Sequence, residues 1–225
     1  HLGKIYRSEG MRLNQLKKIL FLTLIVILST GLVLSGCGGE KAATGGTFTW
    51  THNGGITQIG AVVDNMGTSA NRNTYPMFEG LLKTNEAEEL QPWLATSWEI
   101  SPDGKTITLE LLENVKFQDG TDFDAEAVKY NLEAVYAANL QGTAFMANVD
   151  SYEVTGKYTI RIHLKDVDYL FLNRIASGAL GLMASPTALQ KPTTPETIAQ
   201  VHSVGTGPFL FDSWERDTFV KYKKW

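Results

Sequence analysis

Alternation of apolar and polar residues marks the clearest elements of this chain. Between Thr106 and Leu111, Ile107, Leu109 and Leu111 alternate with Thr106, Thr108 and Glu110, the period of a strand with one buried face. Upstream, Ser101-Pro102-Asp103-Gly104 has Pro pre-set at the second turn position and Gly at the fourth, so residues 94–111 are expected to form a hairpin closed by a type I turn. A second hairpin is expected over Tyr152 to Leu164, turning at Gly156-Lys157, with Tyr158, Ile160, Ile162 and Leu164 inward and Thr159, Arg161 and His163 outward. Between the hairpins, Val115 to Phe117 reads as a short strand and Asp119-Gly120 as a turn. Asp124 is an N-cap for a helix from about Ala125 to Ala138 with Val128, Leu132, Val135 and Tyr136 as its apolar stripe. Thr47 to Thr51 reads as a buried strand broken by Asn53, Gly54 and Gly55, and Asn73 to Leu82 as a short helix. Tyr169 to Ala176 looks helical, Pro186 and Pro195 each stand where a helix can begin, and Val204 to Phe211 resumes as a strand, with Thr218 to Trp225 as another. Strands and helices intermix without regular alternation, so the expected class is α/β or α+β with mixed sheets.

The start of the chain follows a different pattern. Met11 opens a stretch with basic residues Arg12, Lys17 and Lys18, then an apolar run from Ile19 to Leu34 interrupted by Thr23, Ser29, Thr30 and Gly31. This is the layout of a secretory signal, and the run falls short of the about 20 apolar residues of a comfortable membrane span. It closes on Leu34-Ser35-Gly36-Cys37, which resembles the bacterial lipobox. That resemblance implies a diacylglyceryl group on the Cys37 thiol and cleavage just before it; the alternative is an uncleaved signal anchor with an incidental cysteine. Residues 11–36 are then the signal, residues 37–46, ending in Glu40 to Gly46, a flexible tether, and residues 47–225 the folded part. Residues 1–10 precede the initiator and are expected to be upstream in-frame translation, since His1 is not a methionine.

Composition narrows the chemistry. Of 225 residues 43% are hydrophobic, enough for a good core, and the single cysteine excludes a disulfide framework or a thiolate metal cage. The net charge of -4 hides an asymmetry, because Lys4, Arg7, Arg12, Lys17 and Lys18 oppose only Glu9 before residue 37. The remainder is strongly acidic, so nucleic acid and anionic lipid head groups are not expected partners, and acyl chains rather than a basic patch must hold the domain at a membrane.

Recognisable catalytic motifs are missing. The sequence has no phosphate-cradling glycine loop, no dinucleotide fingerprint and no Gly-x-Ser-x-Gly elbow. His52, His163 and His202 are widely spaced, none with a second ligand at metal-binding spacing on one helix, and His163 falls on the polar face of its strand. Glu86, Glu88 and Glu89 read as a solvated charge run. No catalytic residue, metal site or cofactor is therefore assigned, and the chain is not expected to be an enzyme.

Three stretches taken in order carry a resemblance. Residues 94–111 (LATSWEISPDGKTITLEL) lead into residues 113–131 (ENVKFQDGTDFDAEAVKYN), and residues 204–209 (VGTGPF) come later, followed by a strand with Trp214 and Tyr222. Together they closely resemble the bacterial extracellular solute-binding proteins of family 5, the dipeptide, oligopeptide and nickel receptors of ABC importers. The departures are Gln118 where the family usually has His, and Asp124 where it usually has Thr or Ala before the helix.

The resemblance implies a type II periplasmic-binding-protein-like α/β fold, bilobal in the full chain, of which residues 47–225 would be most of lobe I with the second lobe missing. It implies a monomeric, extracytoplasmic protein that passes peptides, or a related solute such as a nickel chelate, to an ABC permease with a cytoplasmic ATPase. A sensory or adhesive lipoprotein on the same scaffold is the alternative. The loop after the first strand would line the cleft, which assigns Thr51, His52, Asn53 and Gly54 to ligand binding; an ordinary strand-ending turn is the competing reading. Trp50, Trp93 and Trp98 are expected in the core, and Gly205-Thr206-Gly207-Pro208 is expected to be a structural loop.

Overall fold

The computed structural model describes residues 47–49, 56, 59–64, 73–139, 143–177 and 180–225. Cys37, the signal and tether, Trp50 and the candidate ligand residues Thr51, His52, Asn53 and Gly54 lie outside the described residues. The chain divides into two units, residues 1–52 and 53–225; of the first, the described residues 47–49 have no regular secondary structure.

The second unit is built around a four-stranded sheet. Strands β3 (Ala95–Ile100), β4 (Thr106–Leu111), β5 (Val149–Gly156) and β6 (Thr159–Leu164) assemble in the order β3-β4-β6-β5 with every neighbour antiparallel. Alternation fixes its two faces. Ile107, Leu109, Leu111, Ile160, Ile162 and Leu164 are all buried. The other face pairs Glu99 with Thr108, Thr108 with Arg161 and Arg161 with Glu153 across the strands. Against the sheet lies helix α1 (Ala125–Ala137), started by Asp124, whose carboxylate accepts from the Ala127 N–H at 2.9 Å. Val128, Leu132 and Val135 are buried as expected, but Tyr136 is 49% exposed and does not belong to the stripe.

Both expected hairpins form. In the first, Gly104 N–H donates to the Ser101 carbonyl at 2.8 Å, and Gly104 takes φ +72°, a backbone conformation that glycine adopts without strain. The second turns one residue later than expected, at Lys157-Tyr158. A 3-10 helix (Ala144–Asn148) leads into β5. The remaining sheets are two-stranded: β1 (Leu82–Thr84) with β2 (Leu90–Pro92), and β7 (Phe209–Glu215) with β8 (Phe219–Lys224). Short helices α2 (Phe171–Ala176), α3 (Pro186–Leu189) and α4 (Ile198–His202) occupy the connection from β6 to β7, with Ser185 capping α3 and Pro186 in its first turn.

Several expected elements are shortened by tertiary hydrogen bonds. Asn73 to Leu82 is one helical turn rather than a helix: Phe78 N–H bonds Thr74, after which Leu81 N–H bonds Gly181 and Ala95 N–H bonds Leu81. Val115 to Phe117 contributes only a single bridge, Lys116 opposite Asp122. Val204 to Phe211 is strand only from Phe209, because the preceding backbone is engaged elsewhere. Among the described residues no helix is long and apolar enough to cross a membrane.

Candidate functional site

The most constrained described region is the crossover into β7. Gly205 and Gly207 run against the turn at residues 76–78 so closely that an added Cβ would lie 2.2 Å from the Met77 carbonyl oxygen at Gly205 and 2.6 Å from the Met77 carbonyl carbon at Gly207. Gly207 N–H donates to Met77 O at 2.9 Å and Phe209 N–H to Pro76 O at 3.1 Å. No side chain larger than hydrogen fits such an approach, which supports the reading of this loop as structural.

Gln118 pins the crossover from the other side. Its Nε2 donates to the Gly207 and Phe209 carbonyls, each at 2.8 Å, and its Oε1 accepts from Gly205 N–H at 3.3 Å, while its own N–H donates to Gly205 O at 2.9 Å. A primary amide supplies two donors on one atom and an acceptor beside them, which suits this arrangement. On β8, opposite Phe211, Tyr222 Oη donates to Asn73 O at 2.8 Å, and burial raises its phenol above the ordinary tyrosine value.

Two further polar clusters lock the connection from β6. Asn131, buried in α1, donates to Ala127 O and Ala184 O and accepts from Ala184 N–H, all within 2.8–2.9 Å. Asp119 accepts from Ser185 Oγ at 2.5 Å and Thr121 Oγ1 at 2.6 Å. Burial alone would raise the Asp119 carboxyl, but the hydrogen bonds from Ser185 and Thr121 outweigh it and hold the group below its usual value.

Beside this cluster a groove of about 390 Å³ lies between α1 and the start of α3. It is lined by Asp122, Asp124, Glu126 and Glu133 together with Lys129, Tyr130 and Pro186. Asp122 is shared by Lys116 and Lys157, whose hydrogen bonds lower its carboxyl.

Sequence spacing concealed one long-range pairing of side chains. His202 Nδ1 meets the Asp64 carboxylate across 138 residues of chain, at 2.9 Å. Spacing on one helix, the pattern sought for histidines, cannot register such a contact. His163 stands on the polar face as expected but is partnered, its Nε2 3.2 Å from Glu153 and its Nδ1 3.2 Å from Thr106. Trp93 and Trp98 pack against the core, Trp93 Nε1 donating to Glu79 at 3.1 Å. Among the described residues no group of three or more His, Cys, Asp or Glu could hold a metal ion. The hydrogen bonds of Gln118, Asn131 and Asp119 fix backbone shape.

This mixed α/β framework, with a pinned crossover leading to a terminal hairpin, is one lobe of a type II periplasmic binding protein. Residues 89–225 match the family "Bacterial extracellular solute-binding proteins, family 5 Middle", and the chain belongs to that family. It is 40% identical over 149 residues to the glutathione-binding protein GsiB of Shigella flexneri, a match covering 65% of this chain and 28% of that relative. Among solved structures it is similar to NikA from Brucella suis in complex with Fe(III)-EDTA, with 27% identity and a TM-score of 0.64 over 79% of this chain and 35% of that one. It shares its fold with the periplasmic binding protein DppA from Helicobacter pylori in complex with the peptide STSA, at 24% identity and a TM-score of 0.61 over 75% of this chain and 38% of that one. The chain thus spans about a third of the length of these proteins. Proteins of the family are extracytoplasmic solute-binding proteins that work with ABC permeases.

Proposed function

We propose that this chain is lobe I of a lipid-anchored receptor that captures a peptide-like solute outside the cytoplasm and delivers it to an ABC permease without chemically altering it. The observation that carries this reading is the continuous family match over residues 89–225, together with 40% identity to a relative named for glutathione binding. The geometry is consistent with it, because Gln118 spends its amide on holding the crossover backbone, which gives a rigid, pre-formed lobe. Ligand would be held between two lobes by hinge closure, the closed state being favoured by its higher affinity.

Thr51, His52, Asn53 and Gly54 are the proposed ligand-contacting residues of this lobe. Cys37 is the proposed lipidation site, following a signal over residues 11–36 and leading into a tether over residues 37–46, with residues 47–225 the lobe itself. Burial of acyl methylenes, each worth about 0.8 kcal/mol, would anchor a domain whose acidic surface has no electrostatic attraction to the membrane.

Calorimetric titration of the longest protein that the source reading frame encodes tests the reading. Glutathione, a dipeptide, an oligopeptide and a nickel chelate are the probes. Saturable one-site binding to one of them, with the probe recovered intact, is expected; absence of heat with all four overturns the reading.

A further inference from the structure

His202 ends α4 with both ring nitrogens facing acceptors. Nδ1 lies 2.9 Å and 3.0 Å from the two Asp64 carboxylate oxygens, and Nε2 lies 3.1 Å from the Lys191 carbonyl. The two side chains are only 8% and 9% exposed, so water has little access to replace a lost partner. A neutral imidazole carries one N–H and can serve one of these acceptors at a time. Serving both takes a second proton in the pair, on the ring or on the Asp64 carboxyl. Asp64 also accepts from Ala61 N–H at 3.0 Å, so the pair organises the backbone of its own segment as well.

We propose that the Asp64–His202 pair is a proton-dependent latch that fastens residues 59–64 to α4 and loosens when the pair releases its second proton to solvent as the pH rises. The released state leaves one of the two acceptors, the carboxylate or the Lys191 carbonyl, without a donor from across the contact, and that loss weakens the tie. Burial raises the Asp64 carboxyl above its usual value even against the hydrogen bond and charge of His202, which favours keeping a proton in the pair.

The neighbouring charges do not take over this role. Helix α1, packed on Val62–Asp64, carries Glu126 and Glu133, both exposed, and Lys129. Strand β7, packed on α4, carries exposed Glu215 and the partly buried Asp212, the latter paired with Lys221 and Lys223. Helix α3 has no charged residue, and Lys191 beyond it acts on Asp119. The charge acting on Asp64 is that of His202. An extracytoplasmic domain meets the pH of its surroundings, so a latch of this kind would couple local order to that pH. This inference does not depend on which solute the protein binds.

Hydrogen exchange in the longest protein of the source reading frame tests it. After correction for intrinsic base catalysis, amides 59–64 should exchange roughly tenfold faster at about pH 9 than at about pH 6, the scale of one charge-assisted hydrogen bond. Amides of β4 and β6 should keep their protection. In His202→Asn the pH dependence at 59–64 should vanish, with exchange fast throughout. A wild-type rate that ignores pH overturns the latch, as does the same acceleration in H202N. Should H202N fail to fold, Asp64→Asn decides: its amide can donate to a neutral ring at any pH, so the pH dependence at 59–64 should again vanish, and the same acceleration in D64N overturns the proposal.

Discussion

At the scale of single residues, shape and hydrogen-bond inventory dominate. Gly205→Ala would drive a methyl into the Met77 carbonyl, a contact with backbone that cannot swing aside. Overpacking of this kind costs about 1–3 kcal/mol, and the upper end is expected here, read as a lower urea midpoint. Gln118→Leu keeps the volume but strips donors from the Gly207 and Phe209 carbonyls and an acceptor from Gly205 N–H; about 1–3 kcal/mol should be lost, again by urea unfolding. The glycines and proline of this loop were legible as a structural device because only backbone shape explains such a cluster. Gln118 was legible merely as a departure from the family pattern, since its partners in the crossover lie 87 to 91 residues away. The Asp64–His202 contact was invisible for the same reason, at 138 residues of separation.

At the scale of elements, local signals decide wherever no distant backbone competes. Asp124→Ala removes the side-chain acceptor from Ala127 N–H and should cost about 1 kcal/mol with an unchanged denaturant slope. The cap, both hairpins and the buried faces of β4 and β6 were all readable, because turn chemistry and a period of two are properties of contiguous residues. Asn73 to Leu82 was not readable as one turn followed by β1. Its later backbone is claimed by Gly181 and Ala95, which no local propensity encodes. Tyr136 fits the helical spacing yet is half exposed, because residues at the edge of an apolar stripe meet solvent on one side.

The same scale gives a pH prediction on the acid side. The Asp119 carboxyl sits below its unfolded value, so the stability it contributes is present above that unfolded value and is lost as pH falls through the lower folded one. Acid titration of thermal unfolding should show a loss in the wild type that is smaller in Asp119→Asn. An identical acid profile in the two proteins would show that Ser185 and Thr121 contribute nothing through the charge.

For the whole molecule, one lobe accounts for about a third of its relatives' length, and a clamp requires a second wall. The fold class was legible from the ordered motifs over residues 94–131 and 204–209, whereas the ligand was not, because its contacts depend on the tertiary placement of side chains from separate segments. Anchoring belongs to this scale too: Cys37→Ala should shift the expressed protein from the membrane fraction to the soluble one and abolish incorporation of labelled fatty acid. Small-angle X-ray scattering of the longest protein from the source reading frame, with and without a saturating peptide ligand, probes solute capture most directly. A receptor that closes on its solute must show a smaller radius of gyration with ligand, reached at the same ligand concentration that saturates the calorimetric signal. A radius unchanged by glutathione, dipeptide, oligopeptide and nickel chelate alike would contradict it.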